Sequence, residues 1–377
     1  MKINSLSRKY ARIWIPGLIM GLSLGYAEQS VAQLEIGGHL NVIASQIDTE
    51  DASGNSEKVS DINVNSLELG LVASPTRNTD VNVVWLLEEE PGGGSPDQGF
   101  AVDQAFVTLS GTGRMLAERP DREGMEGSPW YLNIGKMYIP FATNFEYHTF
   151  DVITEPETLG MGETLESALQ IGFTPTDAMN VYGGIYGGRG ADQGTGDELN
   201  DIFLGINAEF EPGGVVVQWT NNINNSITLI DELDPSEETS AGLTVYGHAT
   251  LGPALIQVSY VSAQDEYAVG DFAGQQPAAL YTEVSFAGLG VGSRQWDLTA
   301  LFGQTDEWFD HPESTMGFVV DTAFMDGITL SFEYLHRKFD SALSSGADQD
   351  DLFALQMSTE FGELLGGLLR QHPPAAQ

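Results

Sequence analysis

Six carboxylates lie close together between Pro140 and Ser167, in a stretch without lysine or arginine. They are Glu146, Asp151, Glu155, Glu157, Glu163 and Glu166. A ring of carboxylates around a narrow aqueous passage favours cations over anions. The same residues equally suit an acidic, solvated surface loop. They are therefore candidates for a pore constriction, and the surface loop stays open as the alternative.

Other patterns that carry chemistry are weak. The six histidines are scattered and none shows the H-E-x-x-H spacing of a metal site. Asp348, Asp350 and Asp351 lack the spacing of a full calcium loop. No helical pattern follows the glycines at 288–292, and no Gly-x-Ser-x-Gly elbow occurs. We predict no catalytic residue, no metal site and no cofactor.

The predicted strands that would position these carboxylates alternate apolar and polar residues, with a period of two. In the segment 328–337 the apolar residues alternate with the polar ones. Ile328, Leu330, Phe332 and Tyr334 share one face, and Thr329, Ser331, Glu333 and Arg337 share the other. Such alternation is typical of a strand with one face toward lipid or protein and the other toward water.

Segments of this kind recur along the chain and are separated by Gly, Asn, Asp and Pro clusters. We predict strands at 34–46, 61–73, 80–89, 101–110, 129–139, 167–174, 179–187, 201–210, 214–222, 240–251, 254–263, 279–287, 295–304, 315–324, 327–338 and 351–361. Long acidic connections, such as 47–60 and 339–350, alternate with short ones, such as Gly252-Pro253. Only the connection 111–128 breaks this alternation, because it is long where a short turn is expected.

About sixteen strands with this loop asymmetry predict an all-β fold, a transmembrane antiparallel β-barrel of the Gram-negative outer membrane. An open sheet edge in lipid would leave backbone groups unpaired, so the sheet must close. A barrel of this size encloses a water-filled lumen. Arg337 is the main candidate for a lumen-facing cation, with Arg294 and Lys338 as further candidates.

The N-terminus has the pattern of a cleavable signal peptide over residues 1–32. Basic residues precede an apolar run, and Ser30-Val31-Ala32 offers a small-residue cleavage site. The barrel is predicted over 33–361, where an alternating strand ends on the aromatic Phe361. Residues 362–377 are predicted to form a flexible extension. An outer-membrane chain of this kind meets the barrel assembly machinery and membrane lipid.

The charge of −39 argues against nucleic acid as a partner, since phosphates would be repelled. Cysteine is absent, so stability must come from backbone hydrogen bonds and packing. Barrels of this size suggest a homotrimer by analogy.

The motif Gly135, Lys136, Pro140 and Phe141 predicts that a strand leaves the membrane there. Gly allows a close backbone approach, and Pro cannot donate to a ladder, so the strand ends there. Phe141, with Phe145 and Tyr147, is predicted to join an aromatic girdle. Lys136 would face lipid by strict alternation, which a bulge or a position near the membrane edge would resolve.

The block between Val102 and Phe173 resembles the LbtU-type siderophore porin family. The resemblance is carried by Val102-Asp103-Gln104-Ala105-Phe106-Val107, Gly135-Lys136-Met137-Tyr138-Ile139-Pro140-Phe141, Asp151, Pro156, Gly162-Glu163-Thr164 and Ala168-Leu169-Gln170-Ile171-Gly172. It implies a porin-like barrel without a plug domain that admits iron-siderophore complexes by facilitated diffusion, with no covalent chemistry.

Two other functions stay open. The acidic composition favours a general diffusion porin for small solutes that prefers cations, because many ferric siderophores are anionic. An outer-membrane barrel hydrolase, for which His148 is the test residue, is the alternative from a different class.

Overall fold

The computed structural model describes residues 33–76, 78–88, 101–110, 129–142, 153–176, 178–187, 199–226, 229, 239–267, 273–291, 294–308, 311–325, 327–340 and 347–362. The predicted signal peptide, most of the C-terminal extension, Glu146 and Asp151 lie outside these residues. No helix among the described residues is long and apolar enough to cross a membrane.

The described chain folds into sixteen strands. They are β1 Gln33–Asp51, β2 Ser56–Thr76, β3 Thr79–Glu88, β4 Ala101–Ser110, β5 Trp130–Tyr138, β6 Leu165–Thr176, β7 Met179–Gly187, β8 Leu199–Phe210, β9 Gly213–Thr220, β10 Gly242–Leu251, β11 Ala254–Ala263, β12 Ala278–Val291, β13 Arg294–Asp306, β14 Pro312–Met325, β15 Ile328–Phe339 and β16 Ala347–Gly362. A one-turn helix, α1, spans Glu157–Gly160, and a 3-10 turn spans Ile223–Asn225. All sixteen predicted strands are confirmed.

Each strand pairs antiparallel with its neighbours in sequence, and β1 pairs with β16 to close the barrel. The closing register runs from Gly37 opposite Gly362 to Asp51 opposite Ala347. The predicted all-β closed antiparallel barrel is therefore confirmed. Closure leaves no strand with an unpaired edge, which is the condition for placing a sheet in lipid.

The predicted alternation assigns the side chains to the two faces of the wall. On β15, Phe332 is 38% exposed on the outside while Glu333 is 0% exposed on the inside. Apolar residues cover the outer face of the other strands in the same way, and polar residues cover the inner face. Outer examples are Ile134, Ile171, Leu204, Val217, Phe302, Phe318 and Leu355, and inner examples are Asn133, Gln170, Asn207, Gln218, Gln257, Thr299 and Gln356.

The largest difference from the predicted elements is at the first hairpin. The prediction of a long loop at 47–60 is wrong. Strand β1 continues to Asp51, and strand β2 begins already at Ser56. The Asp51 carboxylate accepts the backbone N–H groups of Ser53 and Asn55, both at 2.8 Å, and so holds a tight turn. Polar residues occupy these strand extensions, so the apolar alternation that predicts a strand is absent there.

The connection 111–128, which resisted the loop alternation, does not change the register. β4 and β5 are paired neighbours, with Phe106 opposite Gly135 and Leu109 opposite Leu132. The connection therefore joins them at the same end of the barrel as the short turns.

Gly135 is required by this pairing. Its φ is +142°, and a Cβ at this position would overlap the carbonyl oxygen of Ala105 and the backbone of Phe106. β5 ends three residues later at Tyr138, before Pro140, as the strand-exit motif predicted. Lys136 lies at this edge on the outer face and donates to the carbonyl oxygen of Val102 at 3.2 Å.

The substitution Gly135→Ala tests this close approach. We expect it to destabilise the barrel by about 1–3 kcal/mol from the backbone conformation alone, with the overlap adding to this. Gly290→Ala is the control, since a Cβ there meets nothing within 4 Å. Urea unfolding in lipid vesicles, followed by the gel shift between folded and unfolded barrel, measures both. Equal stability of the two variants would contradict the packing described for Gly135.

Candidate constriction site

Residues 139–142, after β5, and residues 153–164, before β6, lie inside the barrel; these described residues are called the inner segment below. Its two ends are joined where the Ile139 N–H donates to the carbonyl oxygen of Thr164 at 2.8 Å. The Ala142 N–H donates at 2.9 Å to Oε1 of Gln218, an inner side chain of β9. Phe141 is 1% exposed within the interior. Its predicted place in an outer aromatic girdle is therefore wrong; Phe145 and Tyr147 lie outside the described residues.

A close contact holds the two arms of the inner segment together. A Cβ on Gly162 would overlap the Cβ of Ala142, and it would lie 3.3 Å from the Phe141 ring. Met161 is fully buried beside them. The Gly162-Glu163-Thr164 motif thus serves the packing of the segment base.

An apolar cluster lies beneath this base on the inner wall. Aromatic residues of β4 to β8 form much of it, together with residues of the inner segment. Its larger members are Phe106, Tyr131, Tyr182, Tyr186, Phe203, Phe141, Met161, Ile223, Tyr267 and Trp308. Because burying each such side chain contributes on the order of 2 kcal/mol, this cluster anchors the inner segment to one side of the barrel.

The far part of the inner segment is attached to the opposite side, on β15. The Glu333 carboxylate accepts the backbone N–H groups of Ile153 at 3.1 Å and Thr154 at 3.0 Å. It also accepts the Thr154 hydroxyl at 2.7 Å. Glu333 is completely buried, so these three bonds replace the water that a carboxylate needs.

A second attachment lies one strand away. The Thr315 hydroxyl of β14 donates at 3.0 Å to Oε1 of Glu157 in α1. With the Glu333 contacts, it carries the inner segment across the lumen from β5 and β6 to β14 and β15. Described residues of the segment therefore contact both sides of the interior.

A cavity of about 380 Å³ lies between the inner segment and the wall of β12 to β15. Its polar lining combines carboxylates with one guanidinium, namely Glu155, Glu157, Glu333 and Arg337, with Thr154, Thr315 and His311 beside them. Tyr281, Leu301, Leu335 and Phe339 supply the apolar part.

The predicted constriction carboxylates separate into two groups. Glu155 is exposed and Glu157 is half-buried, and both line the cavity. Glu163 is buried at the base of the segment and Glu166 is half-buried on β6, and neither lines the cavity. Of the predicted constriction carboxylates that the structure describes, Glu155 and Glu157 thus line the cavity, as a pair rather than a full ring.

The three predicted lumen cations also separate. Arg337 lines the cavity and binds Asp350 of β16 through Nε and Nη2, at 2.7 and 2.8 Å. Lys338 was misplaced by the prediction, because it is the next residue on β15 and its exposed side chain lies on the outer face. Arg294 was misplaced as well, since its guanidinium lies on the outer face 5.2 Å from the Phe324 ring centre.

Among the charged residues that the structure describes, carboxylates outnumber cations on the inner face. The carboxylates that are at most 8% exposed are Glu35, Asp80, Asp201, Glu283, Glu333 and Asp350. Of the lysines and arginines that the structure describes, Arg337 alone is on an inward position. Within the same described ranges, no group of three or more His, Asp or Glu residues is placed to hold a metal ion.

Sequence reasoning missed Glu333, Thr315 and Tyr281 as site residues. Glu333 had been assigned to the polar face of its strand, but no local signal marks it as a partner of residues 153 and 154. Only a search for charged residues at inward positions of predicted strands would have selected it.

Comparison with known proteins places the fold. No protein-family model matches the sequence. The UPF0422 protein of Coxiella burnetii is 23% identical over 194 residues, which are 48% of this chain and 41% of that protein. The chain thus matches less than half the length of this curated relative.

Solved outer-membrane barrels match nearly the whole chain. The outer membrane channel DcaP of Acinetobacter baumannii aligns with a TM-score of 0.58 at 14% identity, over 89% of this chain and 99% of DcaP. Salmonella typhi OmpF, solved with daunomycin, aligns with a TM-score of 0.58 at 11% identity, over 88% of this chain and 98% of OmpF. The anion-selective porin of Comamonas acidovorans aligns with a TM-score of 0.55 at 9% identity, over 88% of this chain and 100% of that porin.

The chain has a porin-like fold. At these identities the likeness extends to the fold alone, so the resemblance to the siderophore porin family stays a prediction.

The substitution Glu333→Gln tests the attachment of the inner segment. A glutamine has one acceptor oxygen, and its NH₂ group would face a donor, so the attachment should weaken by about 1–3 kcal/mol. We expect more frequent closures and larger current noise in planar bilayers. Glu68→Gln is the control, because it removes the same charge from an inward position of β2 that does not line the cavity. Indistinguishable traces from both variants would show that Glu333 does not hold the segment.

Proposed function

We propose that this protein is a diffusion channel of the Gram-negative outer membrane that prefers cations. The observation that carries the proposal is the inner segment, which crosses a porin-like barrel and presents Glu155 and Glu157 to the cavity. Solutes pass by diffusion through the aqueous interior, and no covalent step is involved.

Charge sets the preference among solutes. In water, a carboxylate roughly 6 Å from a monovalent cation lowers its free energy by about 0.7 kcal/mol, a factor of about 3 in occupancy. Several carboxylates act together on the inner face, and low-dielectric walls focus their field. Arg337 opposes them, but Asp350 already pairs with it.

Iron-siderophore uptake, which the family resemblance implies, is a narrower proposal. The acidic interior would repel an anionic ferric complex, so we restrict this role to neutral or positively charged complexes. The hydrolase alternative is not favoured, because the matched barrels described by function are a channel and a porin; His148 lies outside the described residues.

The setting of the channel follows from the same proposal. Residues 1–32 would direct export, and the barrel assembly machinery would insert the chain into outer-membrane lipid. A homotrimer is proposed by analogy with matched barrels, one of which, OmpT of Vibrio cholerae, is described in a trimer form.

Reversal potentials across a salt gradient test the channel and its charge preference. We expect the wild-type pore in planar bilayers to pass K⁺ several-fold better than Cl⁻. Replacing two carboxylates in Glu155→Gln/Glu157→Gln should lower the permeability ratio roughly threefold to tenfold.

The control is Asp48→Asn/Asp306→Asn, which removes two charges from the outer face of β1 and β13 and should leave the ratio unchanged. Absence of conductance would refute the channel. A preference for Cl⁻ in the wild type would refute the role of the inner carboxylates.

A further inference from the structure

We propose that the cavity beside the inner segment binds basic α-amino acids: small solutes with a carboxylate, ammonium groups and net positive charge. The inference rests on the proposed channel function and names the solute class of its narrow part. Three features of the cavity carry it: a guanidinium with spare donors, a carboxylate with a spare acceptor, and apolar side chains in the same lining.

The carboxylate of the solute would bind Arg337. A guanidinium has five N–H donors, and Asp350 occupies one on Nε and one on Nη2. The other three donors make no hydrogen bond to the described part of the chain. Because Asp350 uses the side edge, the end edge formed by the two Nη atoms is open to a second carboxylate in bidentate geometry. The Arg337 side chain is 21% exposed, within the cavity lining.

The ammonium groups would bind the inner segment. Thr315 occupies only Oε1 of Glu157, and Oε2 has no hydrogen-bond partner among the described residues. Exposed Glu155 lies on the same lining. Glu333 is a positioning residue, because both of its oxygens are used by residues 153 and 154.

Shape and charge narrow the solute class further. The cavity of about 380 Å³ lies within the range of small-molecule sites, and Tyr281, Leu301 and Leu335 offer contacts for a methylene chain. Glu155, Glu157 and Glu333 outnumber the paired Arg337, so a solute with net positive charge is favoured. A second carboxylate on the solute would meet these glutamates and be repelled.

Single-channel block in planar bilayers tests the inference with two probes of equal charge. Lysine and 1-aminopentane both carry +1 and a similar alkyl chain, but only lysine has a carboxylate together with a second ammonium group. We expect the apparent Kd for lysine to be about tenfold lower. Arg337→Gln should abolish this difference by raising the apparent Kd for lysine alone. Lys338→Gln, one residue away on the outer face, should preserve the difference.

Arg337→Gln leaves Asp350 buried without its partner, and this unpaired charge destabilises the barrel. The double variant Arg337→Gln/Asp350→Asn removes both charges and carries the same expectation. Glu157→Gln should raise the apparent Kd for both probes several-fold.

Equal block by lysine and 1-aminopentane in the wild type would overturn the inference, as would an equal effect of the Arg337 variants on both probes. In either case a conducting, cation-preferring pore leaves the proposed function intact. A wild-type protein without conductance overturns the proposed function itself.

Discussion

The pairing of β1 with β16 is the constraint on which the rest of the molecule depends. Hydrocarbon offers no hydrogen bonds, so each unpaired backbone N–H or C=O group there costs several kcal/mol. A sheet of sixteen strands escapes this cost only when its first and last strands meet, as they do from Gly37 and Gly362 to Asp51 and Ala347. Closure also fixes which way each side chain points. Phe332 must then face outward and Glu333 inward, because neighbouring residues on a strand take opposite faces.

Closure of the barrel creates an interior, and the inner segment occupies part of that interior. Its base packs on the apolar cluster of β4 to β8, and its far part binds Glu333 on β15. These two attachments differ physically. The first depends on burial of apolar surface, which tolerates small displacements, whereas the second depends on three hydrogen bonds with fixed geometry. A buried carboxylate that accepts backbone N–H groups thus fixes residues 153 and 154 against the wall at β15.

The distribution of charge across the wall gives the interior its character. Of the described basic residues, Lys58, Lys136, Arg294 and Lys338 lie on the outer face, where Lys58 pairs with Asp48 at 2.9 Å. Arg337 is inside, bound to Asp350. Among the residues that the structure describes, the acidic excess of the composition is thus present on the inner face, where carboxylates outnumber the one described arginine. That asymmetry, rather than any single residue, produces the expected preference for cations.

The sequence by itself determined the barrel. Alternation along each strand is a local property, and it predicted sixteen strands, their faces and the strand exit near Pro140, because lipid and water impose the pattern residue by residue. It also selected Glu155, Glu157 and Arg337. The tertiary structure alone decided which carboxylates meet. Glu157 reaches Thr315 and residues 153 and 154 reach Glu333 across more than 150 positions of sequence. Lys338 and Arg294 were misplaced for a related reason: a charge indicates that a residue needs water or a partner, but the alternation of its own strand decides which face it occupies.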